Sequence, residues 1–350
     1  MKTKAVVQTA YGEKLIVDEL DLPEPRPDQT IVKLRSSGIC HSQLHQLSRS
    51  SIPRPLVFGH EGSGIVTKIG SDVTHVKEGD HAIVTFVPRT PFTGKPERVP
   101  SGTTHKGVRV NEVAVYTWSE DVLTTGEYVV PISKDDPLDL SSIVGCAVGT
   151  GAGAVTNTVQ VRPGDSVAVF GVGGVGMSAI QMASILEAYP VIAVDLSDEK
   201  LEFAREFGAT HTVNASQVDP VEAIVDMTNG GVDYAFDAIG VRLTNEQILP
   251  ATRSGGSGAD NRGGTAILVG MPGTEMTLDP GLIMGGQRVY TGSHAAFYPD
   301  RDFPMLLRLH QEGKFPLDKL VTKRYTLDQA NEACDTLKAG QILGRAIFEM

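Results

Sequence analysis

Cysteine is scarce in this 350-residue chain, where Cys40, Cys146 and Cys334 are the only three. An odd, sparse set builds no disulfide framework, which points to a reducing compartment and a cytoplasmic protein. Long apolar runs are missing too. None approaches the ~20 residues a membrane helix needs, and the opening MKTKAVVQ lacks the apolar region of a signal peptide. No membrane partner is expected. Positive charge is in deficit, with 31 Lys and Arg against 42 Asp and Glu for a formal net charge of −11. That balance argues against nucleic-acid binding and for a soluble, self-repelling surface. No internal repeat is visible.

Glycine, by contrast, is abundant at 38 residues, as expected where turns are tight or backbone must approach a ligand. The length fits two domains, each able to bury a core. Up to about residue 140 the chain reads as short β-runs, at 5–8, 15–17, 29–34, 64–69, 81–86, 113–118 and 126–131. Pro23, Pro25, Pro27, Gly70 and the Gly79-Asp80 pair punctuate them, so a small, mostly antiparallel β domain is expected. Residues 88–112 break the pattern with a polar, Pro- and Gly-rich loop carrying Arg89, Lys95, Arg98, Lys106 and Arg109. From residue 148 strands alternate with helices, the mark of a parallel sheet covered on both faces. Runs at 166–170, 190–195, 211–214, 234–239, 265–269 and 288–293 supply six strands. Helices near 302–312 and 328–339 and a strand near 345–348 follow.

Within that alternation stands Gly171-Val172-Gly173-Gly174-Val175-Gly176, after a buried strand and at the start of a helix. Asp195 ends the next strand, nineteen residues past Gly176. Alone, a G-x-G-x-x-G is weak; strand, helix and acid together mark a dinucleotide site. Gly171 makes the tight turn, Gly173 lets the backbone approach the pyrophosphate, and Gly176 lets helix and strand pack closely. Asp195 is expected to accept from the adenosine ribose hydroxyls and to repel a 2′-phosphate, favouring NAD.

A second constellation lies earlier, where Cys40, His41, Ser42 and His45 precede Gly59-His60-Glu61-Gly62. Thiolate and imidazole are good zinc ligands, and a catalytic zinc needs three protein ligands and an open position. Taken alone, the same residues read equally well as a buried small hydrophobe, Cys40, and a satisfied core histidine, His60.

With these motifs assembled, the chain resembles the zinc-dependent medium-chain alcohol dehydrogenases over nearly its whole length. The resemblance implies an α/β protein in three parts. These are a GroES-like β-rich catalytic domain over 1–147, a Rossmann domain with a doubly wound six-stranded parallel sheet over 148–291, and a segment, 292–350, that returns to the first domain. It implies Cys40, His60 and Cys146 as ligands of one catalytic zinc, with Glu61 near enough to exchange onto the metal; a Cys₂His set is the ligand pattern general to alcohol dehydrogenase. Ser42 matches the hydroxyl that holds the substrate oxygen, and His45 the far end of its proton relay. His41 and Arg345 match groups on the pyrophosphate, and Thr150 one that packs on the nicotinamide. Gly174, Val175, Lys200, Gly270 and Met271 complete the coenzyme set, while Phe86 and Met271 fall where the family lines its substrate pocket. The implied activity is NAD-linked oxidation of a primary or secondary alcohol, or reduction of the matching aldehyde or ketone, by a homodimer or homotetramer joined near residues 288–293.

Two departures qualify the resemblance. Many relatives carry four closely spaced cysteines for a structural zinc after the position of Phe86; here there is none, and Thr90 stands near where the first would be. One zinc per subunit is therefore expected, with residues 88–112 held by other means or mobile. The family's acidic residue after the relay hydroxyl is Gln43 here, an orienting group that raises imidazole basicity less than a carboxylate does. Competing readings are an S-(hydroxymethyl)glutathione-type formaldehyde dehydrogenase, suggested by the basic loop as an anion clamp, a zinc-free reductase on the same fold, and a non-catalytic NAD-binding protein.

Overall fold

Alternating burial shapes the first strands. In β1 (Lys2–Gln8) the lysines face water while Thr3, Ala5 and Val7 enter the core. It pairs antiparallel with β2 (Ile16–Asp21), whereas β3 (Gln29–Ile39) is buried along most of its eleven residues. In the computed structural model residues 1–90, 99–113 and 115–350 are described. They divide into one unit of Met1–Cys146 with Tyr298–Met350 and another of Ala147–Phe297.

In the first unit α1 (His41–Leu47) follows β3 directly, a helix that the β-rich reading did not contain. After β4 (Leu56–Val57) come β5 (Gly62–Ile69), β6 (His81–Val84), the hairpin β7 (Thr104–His105) and β8 (Val108–Arg109), β9 (Asp121–Thr125) and β10 (Val129–Ile132). Strands β4, β1, β2, β7 and β8 make one sheet; β10, β6, β5 and β3 lie in order in another, with β9 also on β3. Among the described residues of the strand expected at 113–118, 113 and 115–118, no strand is formed. Val115, Tyr116 and Trp118 are buried, but Thr117 N and Trp118 N both donate to Phe58 O at 2.9 and 3.0 Å. Apolar side chains there pack a core without joining a ladder. The chain then turns through the short helix α2 (Leu138–Ser141) and a 3-10 turn, Ser142–Gly145, to Cys146.

The second unit begins with α3 (Ala147–Gly153). Strands β11 (Val167–Phe170), β12 (Val191–Asp195), β13 (His211–Asn214), β14 (Tyr234–Asp237), β15 (Thr265–Leu268) and β16 (Val289–Gly292) form one parallel sheet in the order 13-12-11-14-15-16. This is the doubly wound arrangement, whose ligand crevice lies outside the C-terminal strand ends at the switch point beside the first strand. Residues of β11 and β12 are buried almost throughout because helices cover both faces. Those helices are α4 (Gly174–Ile185), α5 (Asp198–Glu206), α6 (Pro220–Thr228), α7 (Arg242–Gln247) and α8 (Pro280–Met284). Asp219 caps α6 by accepting from Val221 N and Glu222 N, Pro220 sits at its first turn, and Asn229 closes it in the left-handed region. Residues 293–297 stay with this unit: Ser293 N donates to Leu268 O at 2.8 Å and Asn157 Nδ2 to Ala296 O at 2.8 Å.

The chain returns to the first unit at Tyr298 with α9 (Pro299–Gln311), α10 (Leu317–Leu320), β17 (Val321–Tyr325), α11 (Ala330–Lys338) and β18 (Arg345–Glu349). Strand β18 pairs antiparallel with β3, setting Ala346 opposite Ile39, and Phe348 packs edge-on against Trp118 at 5.0 Å. This return brings the residue numbered 345 beside residues numbered near 60.

Candidate metal and coenzyme sites

Three turns in the first unit converge. Cys40 follows β3 and is the N-cap of α1, held extended while its N–H donates to Gln43 Oε1 at 2.8 Å. His60 and Glu61 follow Gly59, whose φ of +92° suits glycine and whose missing Cβ would lie 2.6 Å from the Trp118 backbone. Cys146 follows the 3-10 turn, where Thr85 Oγ1 donates to Gly145 O at 2.6 Å. Gly38 is also steric: a Cβ there would lie 2.4 Å from Glu61 Cδ.

The result is a cluster in which ligand atoms of Cys40, His60, Glu61 and Cys146 all lie within 4.8 Å of one another. His60 Nε2 is 3.2 Å from Cys146 Sγ. A tetrahedral zinc, with bonds of about 2.0–2.3 Å, sets its ligands about 3.5–3.8 Å apart, so the His60–Cys146 pair needs only a small widening to share one. Charge agrees. Both cysteines as thiolates with the Glu61 carboxylate, offset by the Arg345 guanidinium, leave two negative charges for a divalent cation. Glu61 is wholly buried and Arg345 is 5% exposed, and they form an ion pair. A hydrogen bond from Cys146 draws the Cys40 thiol well below its ordinary pKa. That bond and burial push Cys146 well up. Burial opposes charge on His60, but its hydrogen bond and attraction to Cys40 outweigh it and raise the imidazole.

Around this cluster the other expected groups take definite places. Ser42 Oγ is buried with no hydrogen-bond partner among the described residues, which is where a bound oxygen ligand would complete it. His45 lies three residues on along α1 and is exposed, as is His41. Phe86 stands edge-on to the His60 ring at 5.0 Å. Arg345, matched by resemblance to a pyrophosphate contact, gives its Nη2 to Glu61, because a buried carboxylate needs a counter-charge.

In the second unit Gly171 has φ +87°, and a Cβ there would strike Ile239 Cγ1 at 2.3 Å. A Cβ on Gly176 would lie 1.9 Å from Gly171 O, so helix and strand touch through it. At Gly173 a Cβ would meet nothing within 4 Å, leaving open space before the first turn of α4, whose N-terminus no side chain caps. The N–H groups of Gly174 and Val175 start that helix, so the cradle fits a diphosphate. Asp195 accepts from Val172 N at 3.0 Å and from Leu196 N at 2.8 Å, which fixes its carboxylate at the end of β12. Lys200 N donates to the Ser197 cap of α5. Thr150 is buried on α3, which packs against α4 where Gly151 meets Val175 O. Gly270 packs against the Ile239–Gly240 backbone, and Met271 is 47% exposed.

Sequence reasoning passed over Asp237. Fully buried at the end of β14, it accepts from Ile239 N at 2.8 Å, Gly240 N at 3.0 Å, Thr244 Oγ1 at 2.9 Å and Asn245 Nδ2. It thereby fixes the turn whose Ile239 limits Gly171. An acid ending a core strand just before a glycine, as Asp195 ends β12, was the available signal.

Of the loop's described cations, two are engaged elsewhere. Arg89 is bound through Nε and Nη2 to Asp300, each at 2.6 Å, and Lys106 pairs with Asp18 at 2.9 Å. Lys95 and Arg98 lie outside the described residues. The described part is held by polar contacts: Ser101 N to Glu112 Oε1 at 2.6 Å, Gln29 Nε2 to Ser101 O at 3.0 Å, and Thr103 Oγ1 with Tyr116 OH at 2.9 Å.

Comparison with known proteins agrees with this geometry. Residues 26–134 match the family model for the alcohol dehydrogenase GroES-like domain, and residues 174–312 that for zinc-binding dehydrogenase. The NDMA-dependent alcohol dehydrogenase of Amycolatopsis methanolica is 33% identical, over 97% of each chain. The S-(hydroxymethyl)glutathione dehydrogenase of Komagataella pastoris is 30% identical, over 100% of this chain and 98% of its own. The crystal structure of benzyl alcohol dehydrogenase from Acinetobacter calcoaceticus superposes with a TM-score of 0.90 at 32% identity, covering 100% of this chain and 99% of its own.

Proposed function

The chain belongs to the zinc-dependent medium-chain alcohol dehydrogenase family, and from that premise we propose that it oxidises a primary or secondary alcohol with NAD, or runs the reverse reduction, using one zinc per chain. The observation that carries this reading is the meeting of Cys40, His60 and Cys146, with an orphaned Ser42 hydroxyl two residues on from Cys40. A non-catalytic protein has no use for that hydroxyl, and a zinc-free reductase none for the two sulfurs.

Cys40, His60 and Cys146 would hold the metal, and the cradle from Gly171 to Gly176 with Asp195 would hold the coenzyme. When bound, zinc supplies the Lewis acidity that makes an alcohol proton labile near neutral pH, and the nicotinamide supplies the hydride acceptor. Ser42 Oγ would accept the alcohol proton while releasing its own towards exposed His45, which would deliver a proton to solvent, a role suited to an imidazole. Phe86 covers one side of His60 and keeps water from it. Glu61, paired with Arg345, balances charge beneath the ligands.

Two relatives bear on substrate. Benzyl alcohol dehydrogenase supports an aryl alcohol, and the modest size of Ser42 leaves room for one. A second reading, oxidation of the glutathione adduct of formaldehyde, is favoured by the K. pastoris relative but weakened by the engagement of Arg89 with Asp300. Strand β16 is the outer strand of its sheet, with Val289 47% exposed and Met284 on α8 80% exposed, which supports a homodimer or homotetramer joined there. Among the described residues no single helix is long and apolar enough to cross a membrane. A cytoplasmic location is part of the same proposal.

The test is a panel of benzyl alcohol, ethanol and S-(hydroxymethyl)glutathione, each with NAD and NADP, with zinc quantified per chain. Turnover of an alcohol with NAD, lost on chelation and restored by zinc, is the expected result. Turnover that survives complete zinc removal would refute the reading.

A further inference from the structure

Gln43 is fully buried, and each end of its amide meets one group. One atom lies 2.8 Å from Cys40 N, a backbone N–H that only donates, so that atom must be the oxygen. The other is then Nε2, a donor, and it lies 2.6 Å from His60 Nδ1. For Nδ1 to accept, its lone pair must be free, and a neutral ring then carries its proton on Nε2, the nitrogen 3.2 Å from Cys146 Sγ. That is the nitrogen facing the other ligand atoms. Ligation through it needs the proton on Nδ1, where it would point at an NH₂ group unable to accept it. If the amide turns over to accept from Nδ1–H, its NH₂ faces Cys40 N, and the N-cap of α1 loses its acceptor. Two donors compete for one oxygen. No carboxylate among the described residues takes the place, since Glu61 is turned to Arg345. A carboxylate at position 43 would accept from both.

Resting on the metal reading above, we propose that Gln43 is a positioning residue that sets zinc retention: its amide fits the metal-free pocket, must turn over for His60 to bind zinc, and so leaves the metal weakly held and exchangeable. Second groups that orient a ligating histidine commonly change affinity by about 10–100-fold.

The experiment loads the full-length protein with zinc and follows metal transfer to a colorimetric chelator. Wild type is compared with Gln43→Glu, nearly the same shape, and Gln43→Asp, one methylene shorter, with folding checked by Trp118 fluorescence. Both carboxylates are expected to slow zinc release about 10–100-fold. Nitrogen-15 shifts of the His60 ring are expected to put the proton on Nε2 in the metal-free wild type and on Nδ1 in the loaded protein, a change that a merely structural glutamine would not produce. One zinc per chain released at equal rates by all three proteins overturns the role of Gln43 alone, as does a metal-free His60 already protonated on Nδ1. Failure of wild type to bind zinc or cobalt at all overturns the metal reading and this inference together.

Discussion

Replacing Arg345 with Met is the sharpest test of how the metal cluster is built. The substitution keeps volume and removes the cation that faces Glu61. Glu61 is 0% exposed and Arg345 5% exposed, so the carboxylate would be left charged and unpaired in the interior. Breaking a buried pair in this way typically costs about 3–5 kcal/mol. With a urea slope of roughly 2 kcal/mol per molar, the midpoint should fall by roughly 1.5–2.5 M. The chain has one tryptophan, Trp118, which is buried and donates from Nε1 to Gly38 O at 3.1 Å, next to Glu61. Its fluorescence therefore reports on this unit. The double variant Glu61→Gln, Arg345→Met should be more stable than Arg345→Met, because no charge is stranded. In the zinc-loaded protein the loss should shrink, since a cation in the same cluster faces Glu61. An Arg345→Met variant within about 1 kcal/mol of wild type in the metal-free state, or a double variant that merely sums the singles, would refute the reasoning.

Ser42→Ala should lower kcat by about 10²–10³-fold at unchanged zinc content, which separates its proton role from metal binding; a kcat within about threefold of wild type would count against the relay. Burial pushes the Glu112 carboxyl up to about 7, against the Ser101 N–H that lowers it. The folded state thus holds this proton more tightly than the unfolded chain, so stability is full below about pH 4.5 and falls as pH rises towards 7. Glu112→Gln should flatten that slope and stabilise the protein at pH 8, as measured by urea midpoints across pH 4.5–8. An unchanged slope would show that Glu112 is not the titrating group.

Local backbone demands were written in the amino-acid order. Gly176 stands where a side chain would collide with the Gly171 carbonyl, five residues back, and the inner strands β11 and β12 are apolar runs that the fold buries almost throughout. The contact at Gly176 depends on a neighbour five residues away, and an apolar run is visible in the run itself, so a window of sequence contains both. The run at 113–118 misled for the converse reason: Val115, Tyr116 and Trp118 have strand chemistry, but the Phe58 carbonyl takes the N–H groups of both Thr117 and Trp118. What the tertiary structure alone decided is how charge is balanced inside. Glu61 finds Arg345 across 284 residues of chain because β18 pairs with β3. Gln43 meets the Cys40 N–H with its oxygen and His60 Nδ1 with its nitrogen, and Asp237 gathers four donors at one turn. A buried polar group is stable only with its partner in place, and the fold chooses that partner.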